Sequence, residues 1–384
     1  MTFAAAPASA SHCSWRNAAA DAQLPSLQRY GLHLEATAGW LLRSLRPSGG
    51  SAAYYAPLLG WSRPYPETTG YLIPTLLRVH QRLGWAEAEA AALGAGSWLL
   101  SLQAPEGCWF GGLHPPRARP SPSIFNTGQI LLGLCALHRW TDEARWLEAA
   151  ARGASWLAEG VDDAGQWVGG HYRGDFQPSY YTRVAWPMLE VWRLHGDDRI
   201  RAAAERVLDR VLACRRGNGA FAGWGFAPGR PAFTHTIAYT LRGLLESARI
   251  LDDWARFGAP TAAALEILRR RAELAGGRLP GAFGEDWRAD RSFVCVTGCA
   301  QVAICLLIVE ARAPDLRLVN AACKLVDTVC RRQRLGGPRS VRGAVPGSLP
   351  FWGRYMRFRY PNWAAKFHAD ALDRLIDRLD REVP

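Results

Sequence analysis

The chain has 384 residues, 49% of them apolar in type, which is enough to bury a large core within one domain. Its formal charge of +12, from 46 Lys and Arg against 34 Asp and Glu, suits a polyanionic partner. Nucleic acid is not that partner: the Arg runs at 269–271 and 331–332 fall on helix ends, where the helix dipole accounts for them, and no reader motif accompanies them.

Residues 1–25 lack the charged start and continuous apolar run of a secretion signal, so a flexible N-terminal segment ahead of one domain, 26–384, is expected. Gly-containing turns then recur at Gly49, Gly107, Gly165, Gly219, Gly277 and Gly336, spaced by 58, 58, 54, 58 and 59 residues. Each interval holds two helical patterns. Residues 26–45, 85–103, 142–159, 198–214, 260–275 and 315–333 carry one apolar stripe and a charged face, as an outer ring does. Residues 66–83, 126–140, 181–195, 235–251, 297–310 and 362–379 are more uniformly apolar, as helices covered on all sides are. The expected fold is all-α, an (α/α)6 toroid of six helical hairpins.

Six inner helices linked through six outer ones run in one direction, so their N-termini meet at one mouth. They open with YPETTGY (65–71), FNTGQ (125–129), YYTRVAW (180–186), THTIAY (234–239), CVTGCAQ (295–301) and YPNWAAKF (360–367). Helix capping explains one small polar residue at each opening. It does not explain Glu67, Tyr181, Arg183, His235, Gln301 and Lys366, which are costly to bury unless water or a ligand satisfies them. A polar central cleft is the expectation.

The segment QAPEGCW (103–109) has the QxxxGxW spacing of squalene cyclase repeats, and DAGQW (163–167) and NGAF (218–221) look like degenerate copies. The chain therefore resembles the terpenoid cyclase and protein prenyltransferase toroid superfamily. It has no DxDD acid motif and no aspartate-rich diphosphate motif, which argues against isoprenoid chemistry. The segments at 61–77, 125–134, 180–190, 234–246 and 347–372 resemble VpsJ-like bacterial proteins of exopolysaccharide biosynthesis. That resemblance implies a glycan or glycan-lipid substrate and the toroid.

Within the mouth, Glu67, Tyr181, His235, Tyr239 and Tyr360 are the candidate catalytic groups, since a carboxyl, an imidazole and phenols are the acids and bases of proton transfer. Trp61, Tyr65, Tyr71, Asn126, Gln129, Asp286, Trp287, Gln301, Trp352, Tyr355 and Asn362 are candidate substrate-binding residues, rings for sugar faces and amides for hydroxyls. Arg183 and Lys366 are candidates to neutralise a uronate carboxylate, which makes the adjacent proton removable. The expected activity is therefore epimerase or lyase chemistry on an acidic glycan. A glycoside hydrolase would need a second carboxyl facing Glu67, with Asp175, Asp286 and Asp370 as choices; a binding protein without catalysis is the other alternative. Nine Cys without CxxC spacing read as reduced core thiols, and no metal or cofactor is expected. With no run of 18 apolar residues, the expected setting is cytoplasmic, with at most peripheral membrane or biosynthetic-complex association.

Overall fold

Twelve long helices form in a computed structural model that describes residues 26–171 and 174–381; the expected flexible segment 1–25, with Cys13, lies outside the described residues. The outer set is α1 (Ser26–Ser44), α3 (Ala86–Ser101), α5 (Ala144–Glu159), α7 (Asp198–Ala213), α9 (Ala262–Leu274) and α11 (Leu316–Cys330). The inner set is α2 (Pro66–Leu83), α4 (Ile124–Thr141), α6 (Thr182–His195), α8 (Thr234–Leu251), α10 (Val296–Arg312) and α12 (Asn362–Asp380). Helices α2, α4, α6 and α8 each stop on a residue in the left-handed conformation, Gly84, Asp142, Gly196 and Asp252. That stop reverses the chain, so α3, α5 and α7 start a few residues later and pack antiparallel on the helix before.

Each inner helix packs on the next, and α12 returns against α2, which closes the ring. The sixth hairpin is made from the two ends of the described chain, since α1 packs on α12 and barely touches α2. Asn362 fastens it: its side-chain amide donates to the Ser44 Oγ at 2.8 Å and the Ser51 Oγ at 2.7 Å, all three groups being buried.

The repeated turns work by close approach. Gly107, Gly165, Gly277 and Gly343 all have positive φ, and a Cβ there would stand 2.6, 2.3, 1.9 and 1.8 Å from the backbone oxygens of Arg152, Arg206, Lys324 and Ala36 respectively. Each of these outer helices follows its turn by one hairpin, so the glycines let neighbouring hairpins meet around the ring. The expected sixth position, Gly336, has open space around it, and Gly343 takes the role because this last turn must reach back to α1. The QxxxGxW segment serves the same packing: Gln103 donates to the Gly107 and Ala149 carbonyls, and the Trp109 indole donates to the Leu99 carbonyl at 2.8 Å. Trp167 repeats that bond to the Leu157 carbonyl at 2.9 Å.

Short antiparallel strands rim the mouth where the inner helices begin. β1 (Tyr54–Ala56), β2 (Gly60–Trp61) and β7 (Tyr360–Pro361) form one sheet in the order β2-β1-β7. β3 (Ala232–Phe233), β4 (Pro280–Phe283), β5 (Ala289–Cys295) and β6 (Ser348–Leu349) form another in chain order. β3, β5 and β7 run directly into α8, α10 and α12, which places both sheets at the N-terminal end of the barrel. The eight cysteines among the described residues are all free thiols, and among those residues no helix is long and apolar enough to cross a membrane.

Candidate active site

Glu67 sits in the first turn of α2, just after Pro66, and Tyr65 Oη donates to its Oε2 at 2.5 Å. Protein surrounds the carboxyl, yet the residue retains some exposure, as a group on the wall of a narrow recess does. Burial raises its pKa to about 7, against the opposing pull of the Tyr65 hydrogen bond and the positive field of Arg183.

His235 lies in the first turn of α8, two residues beyond Phe233. Its ring lies 4.4 Å from that of Tyr355, 5.6 Å from Tyr239, 5.5 Å from Phe226 and 5.8 Å from Phe233, centre to centre. Burial in this aromatic cage lowers the imidazole to about 3, so it is neutral throughout the physiological range. Tyr355 comes from the loop between β6 and β7 and is pinned by the Trp363 indole, which donates to its hydroxyl at 2.6 Å. Tyr239 and Tyr355 join the two centres, because both pack on His235 and both feel the charge of Glu67; burial pushes both phenols up, opposed at Tyr239 by the positive charge of Arg183 and aided at both by the negative charge of Glu67. Tyr65, Phe125, Phe226, Phe233 and Trp363 keep part of their rings exposed around this cluster.

The structure thus brings Glu67, His235, Tyr239, Tyr65, Tyr71 and Tyr355 together. It gives other candidates different work. Tyr181 turns away to bond His171 Nδ1 at 3.0 Å and to pack on Trp167. Its neighbour Tyr180 faces Phe125 and Phe226 instead. The reason is local: a 3-10 turn at Ser179–Tyr181 precedes α6, and its tighter winding shifts which of two adjacent tyrosines points inward. Tyr360 pairs in β7 opposite Tyr55, stacks on Phe351 and accepts a hydrogen bond from Arg334. Trp61 packs on Trp40 and Tyr55. Asn126 donates to the Phe110 carbonyl, and Asn362 closes the ring as described. Asp286 is exposed and caps its own turn by accepting from Arg288 N, whereas Trp287 is buried between Trp224 and Phe283. Trp352 stands on the surface, 62% exposed.

Phe125, Tyr180, Phe226, Phe233 and Trp363 were not among the expected site residues. Phe125, Phe233 and Trp363 each lie within one residue of an inner helix start, a signal available in the sequence. Phe226 comes from a loop, and nothing short of the tertiary fold places it.

Tyr71, Tyr239 and Phe367 pack into a layer across the barrel, and Arg183 and Lys366 lie against it. Both cations line a cavity of about 470 Å³ with residues from the later turns of the inner helices, Glu190, Glu246 and Asp377 among them, and so face the opposite end from Glu67. Gln129 is committed to Arg183, accepting from its Nη2 at 2.9 Å and donating to its carbonyl at 2.8 Å. Gln301 is fully buried and neither of its amide atoms has a protein partner. Lys366 pairs with Asp370 at 2.5 Å, which removes Asp370 as a facing carboxyl for Glu67, and Asp175 is exposed on its loop.

No family model and no curated protein sequence matches this chain. Solved structures match across its length. An unsaturated glucuronyl hydrolase specific for heparin superposes with a TM-score of 0.72 at 16% identity, covering 91% of this chain and 98% of the other. The fold is an (α/α)6 toroid. An unsaturated glucuronyl hydrolase from Bacillus sp. GL1 (TM-score 0.71, 15% identity, 92% of this chain, 97% of that one) is similar in the same way. So is a cellobiose 2-epimerase from Spirochaeta thermophila DSM 6192 (0.71, 16%, 92% and 97%). Identities this low speak for the toroid and leave the chemistry to the residues described above.

Proposed function

We propose that the protein is a carbohydrate-active enzyme that moves a proton on a sugar ring of an acidic glycan, as an epimerase or lyase does. The observation that carries this reading is the pairing of Glu67 and His235 through Tyr239 and Tyr355: one carboxyl matched to neutral pH, one imidazole kept uncharged, and phenols that hold their protons. A base works best when its pKa lies near the working pH, and Glu67 meets that condition. In this scheme the ionised Glu67 takes the proton from a ring carbon next to a carbonyl or carboxyl. The neutral imidazole of His235 donates a hydrogen bond to the oxygen that gains charge. Tyr239 returns a proton to carbon for epimerisation, or gives one to the departing oxygen for elimination. The surrounding rings offer flat apolar faces to the sugar.

A hydrolase on this scaffold needs two carboxyls across the scissile bond, and of the candidate partners for Glu67, Asp175 and Asp286 are exposed on loops while Asp370 is paired with Lys366. Acidic polymer suits the rim, where the loop between β6 and β7 carries Arg354, Arg357 and Arg359. Structural likeness to glucuronyl hydrolases and a sugar epimerase supports a carbohydrate substrate, and the sequence resemblance to exopolysaccharide-synthesis proteins supports a role in bacterial envelope glycan synthesis. The free thiols suit a reducing compartment, so we place the enzyme in the cytoplasm, near the machinery that handles lipid-linked glycan.

The test is incubation of the purified protein with uronate-containing oligosaccharides in deuterated water. Deuterium entering a ring carbon, or a new unsaturated uronate, is the expected result, lost in Glu67→Gln and His235→Ala variants that retain their helical circular dichroism. New reducing ends without deuterium or unsaturation would replace this reading with hydrolysis. Binding of glycan with no reaction at all would leave a binding protein.

A further inference from the structure

The cavity at the far end of the barrel has a feature that the recess around Glu67 does not share. Arg183 and Arg242, residues 1% and 5% exposed, reach its inner wall, and in each the Nε and one Nη have no hydrogen-bond acceptor in the protein. Burying guanidinium N–H groups without acceptors is costly, and two such groups beside each other repel as well. Arg242 has carboxylates nearby only beyond hydrogen-bond reach, Glu246 at 3.7 Å and Asp370 at 3.8 Å, while the one side-chain partner of Arg183 is the neutral amide of Gln129. The acids are taken elsewhere: Glu190 by Arg139 and Arg249, Glu246 by Arg249, Asp370 by Lys366, and Asp373 and Asp377 by Arg78.

Geometry adds to the charge argument. Both guanidiniums lie over the same indole, Trp186, at 4.8 and 5.2 Å from its centre, so a single rigid ring orients the pair. The cavity walls carry seven cationic side chains against five carboxylates. The volume, about 470 Å³, falls in the range of small-molecule sites and exceeds what one inorganic ion needs.

We propose that this cavity is a second binding site, for a sugar-sized molecule whose phosphate or carboxylate is taken by the free N–H groups of Arg183 and Arg242. Planar guanidiniums match oxyanions of this kind, and a ligand here supplies the acceptors that the fold withholds. The site is separate from the Glu67 recess and does not depend on the reaction proposed there.

Isothermal titration calorimetry at low salt tests it, with glucose 6-phosphate and glucuronate as probes and glucose as the neutral control. Binding of either anion but not of glucose is expected, with affinity falling as salt rises, and the tighter of the two identifies the preferred oxyanion. Arg242→Gln should weaken binding at least tenfold. Ala311→Trp, which fills the exposed side of the cavity without touching the ion pairs, should do the same if the first variant fails to fold. Glu67→Gln should bind glucose 6-phosphate within about twofold of the parent protein. The proposal is overturned if neither anion binds, if glucose binds equally well, if both cavity variants bind like the parent, or if binding is lost with Glu67.

Discussion

Single side chains in this protein are set by what surrounds them more than by their type. Glu67, whose carboxyl is held at about 7, is the clearest case. Below pH 4.5 it is protonated in both folded and unfolded chains and contributes nothing. Between 4.5 and 7 the unfolded chain loses this proton first, so the folded state binds more protons and stability falls as pH rises, by up to about 3 kcal/mol. Glu67→Gln removes that slope, and urea denaturation at pH 5 and pH 8 should show a smaller difference in the variant than in the parent. His235 has the opposite sign: burial keeps it neutral, so it costs stability as pH drops below its unfolded value. Its folded pKa of about 3 also means that it adds no limb to a pH-rate profile near neutrality. We therefore expect kcat/KM on a uronate substrate to rise through about pH 7 as Glu67 ionises. Glu67→Gln should lose that limb and roughly 10²- to 10⁴-fold in rate. Lys366, lowered to about 7 by burial on the far side of the barrel, titrates in the same range, and Lys366→Met should keep the limb.

Hairpins meet through glycines that leave no room for a methyl group. At Gly277 a Cβ would stand 1.9 Å from the Lys324 oxygen, and φ is +86°. At the adjacent Gly276, φ is +59° with nothing within 4 Å. Ala at 276 should cost about 1 kcal/mol for conformation alone, whereas Ala at 277 adds a backbone clash and should cost several times more, read as the shift in urea midpoint at constant slope. Equal costs at both positions would mean that the close approach between hairpins contributes little. Trp109 makes a related contribution, since Trp109→Phe loses the bond to Leu99 and leaves a cavity where the larger indole was fully buried, at a cost of about 2–3 kcal/mol in the same urea measurement.

At the level of the ring, closure depends on α1 meeting α12, two helices more than 300 residues apart in sequence. Asn362→Ala leaves the buried Ser44 and Ser51 hydroxyls without their amide and should cost about 1–3 kcal/mol, with the largest loss of amide protection in α1 and α12 when hydrogen exchange is followed. The ring also sets two chemical environments back to back. Arg183 lines the far cavity, yet its charge lowers the Glu67 carboxyl on the other side of the aromatic layer. An oxyanion held by Arg183 weakens that field, so saturating inorganic phosphate should move the rising limb of the pH-rate profile to higher pH. Absence of any movement, with phosphate binding shown separately, would mean the two ends are electrostatically independent.

Much of this architecture was legible in the amino-acid order because its determinants are local. Apolar periodicity marked all twelve helices, the glycine spacing marked five of the six turns, and strict alternation of outer and inner helices dictated that six N-termini share one mouth, which is why the sequence already groups Glu67, His235 and Tyr239. What local pattern does not carry is rotation about each helix and the path of loops. A 3-10 turn chose Tyr180 over Tyr181 for the recess, strand pairing drew Tyr360 into a sheet, and a loop between two strands carried Tyr355 onto His235. The expected pairing of Arg183 and Lys366 with substrate at the Glu67 mouth was lost for a similar reason, because both point past the aromatic layer to the opposite end. Nearness along the chain decides helix and turn, whereas the facing of a buried charge is decided by every neighbour that the closed ring brings to it.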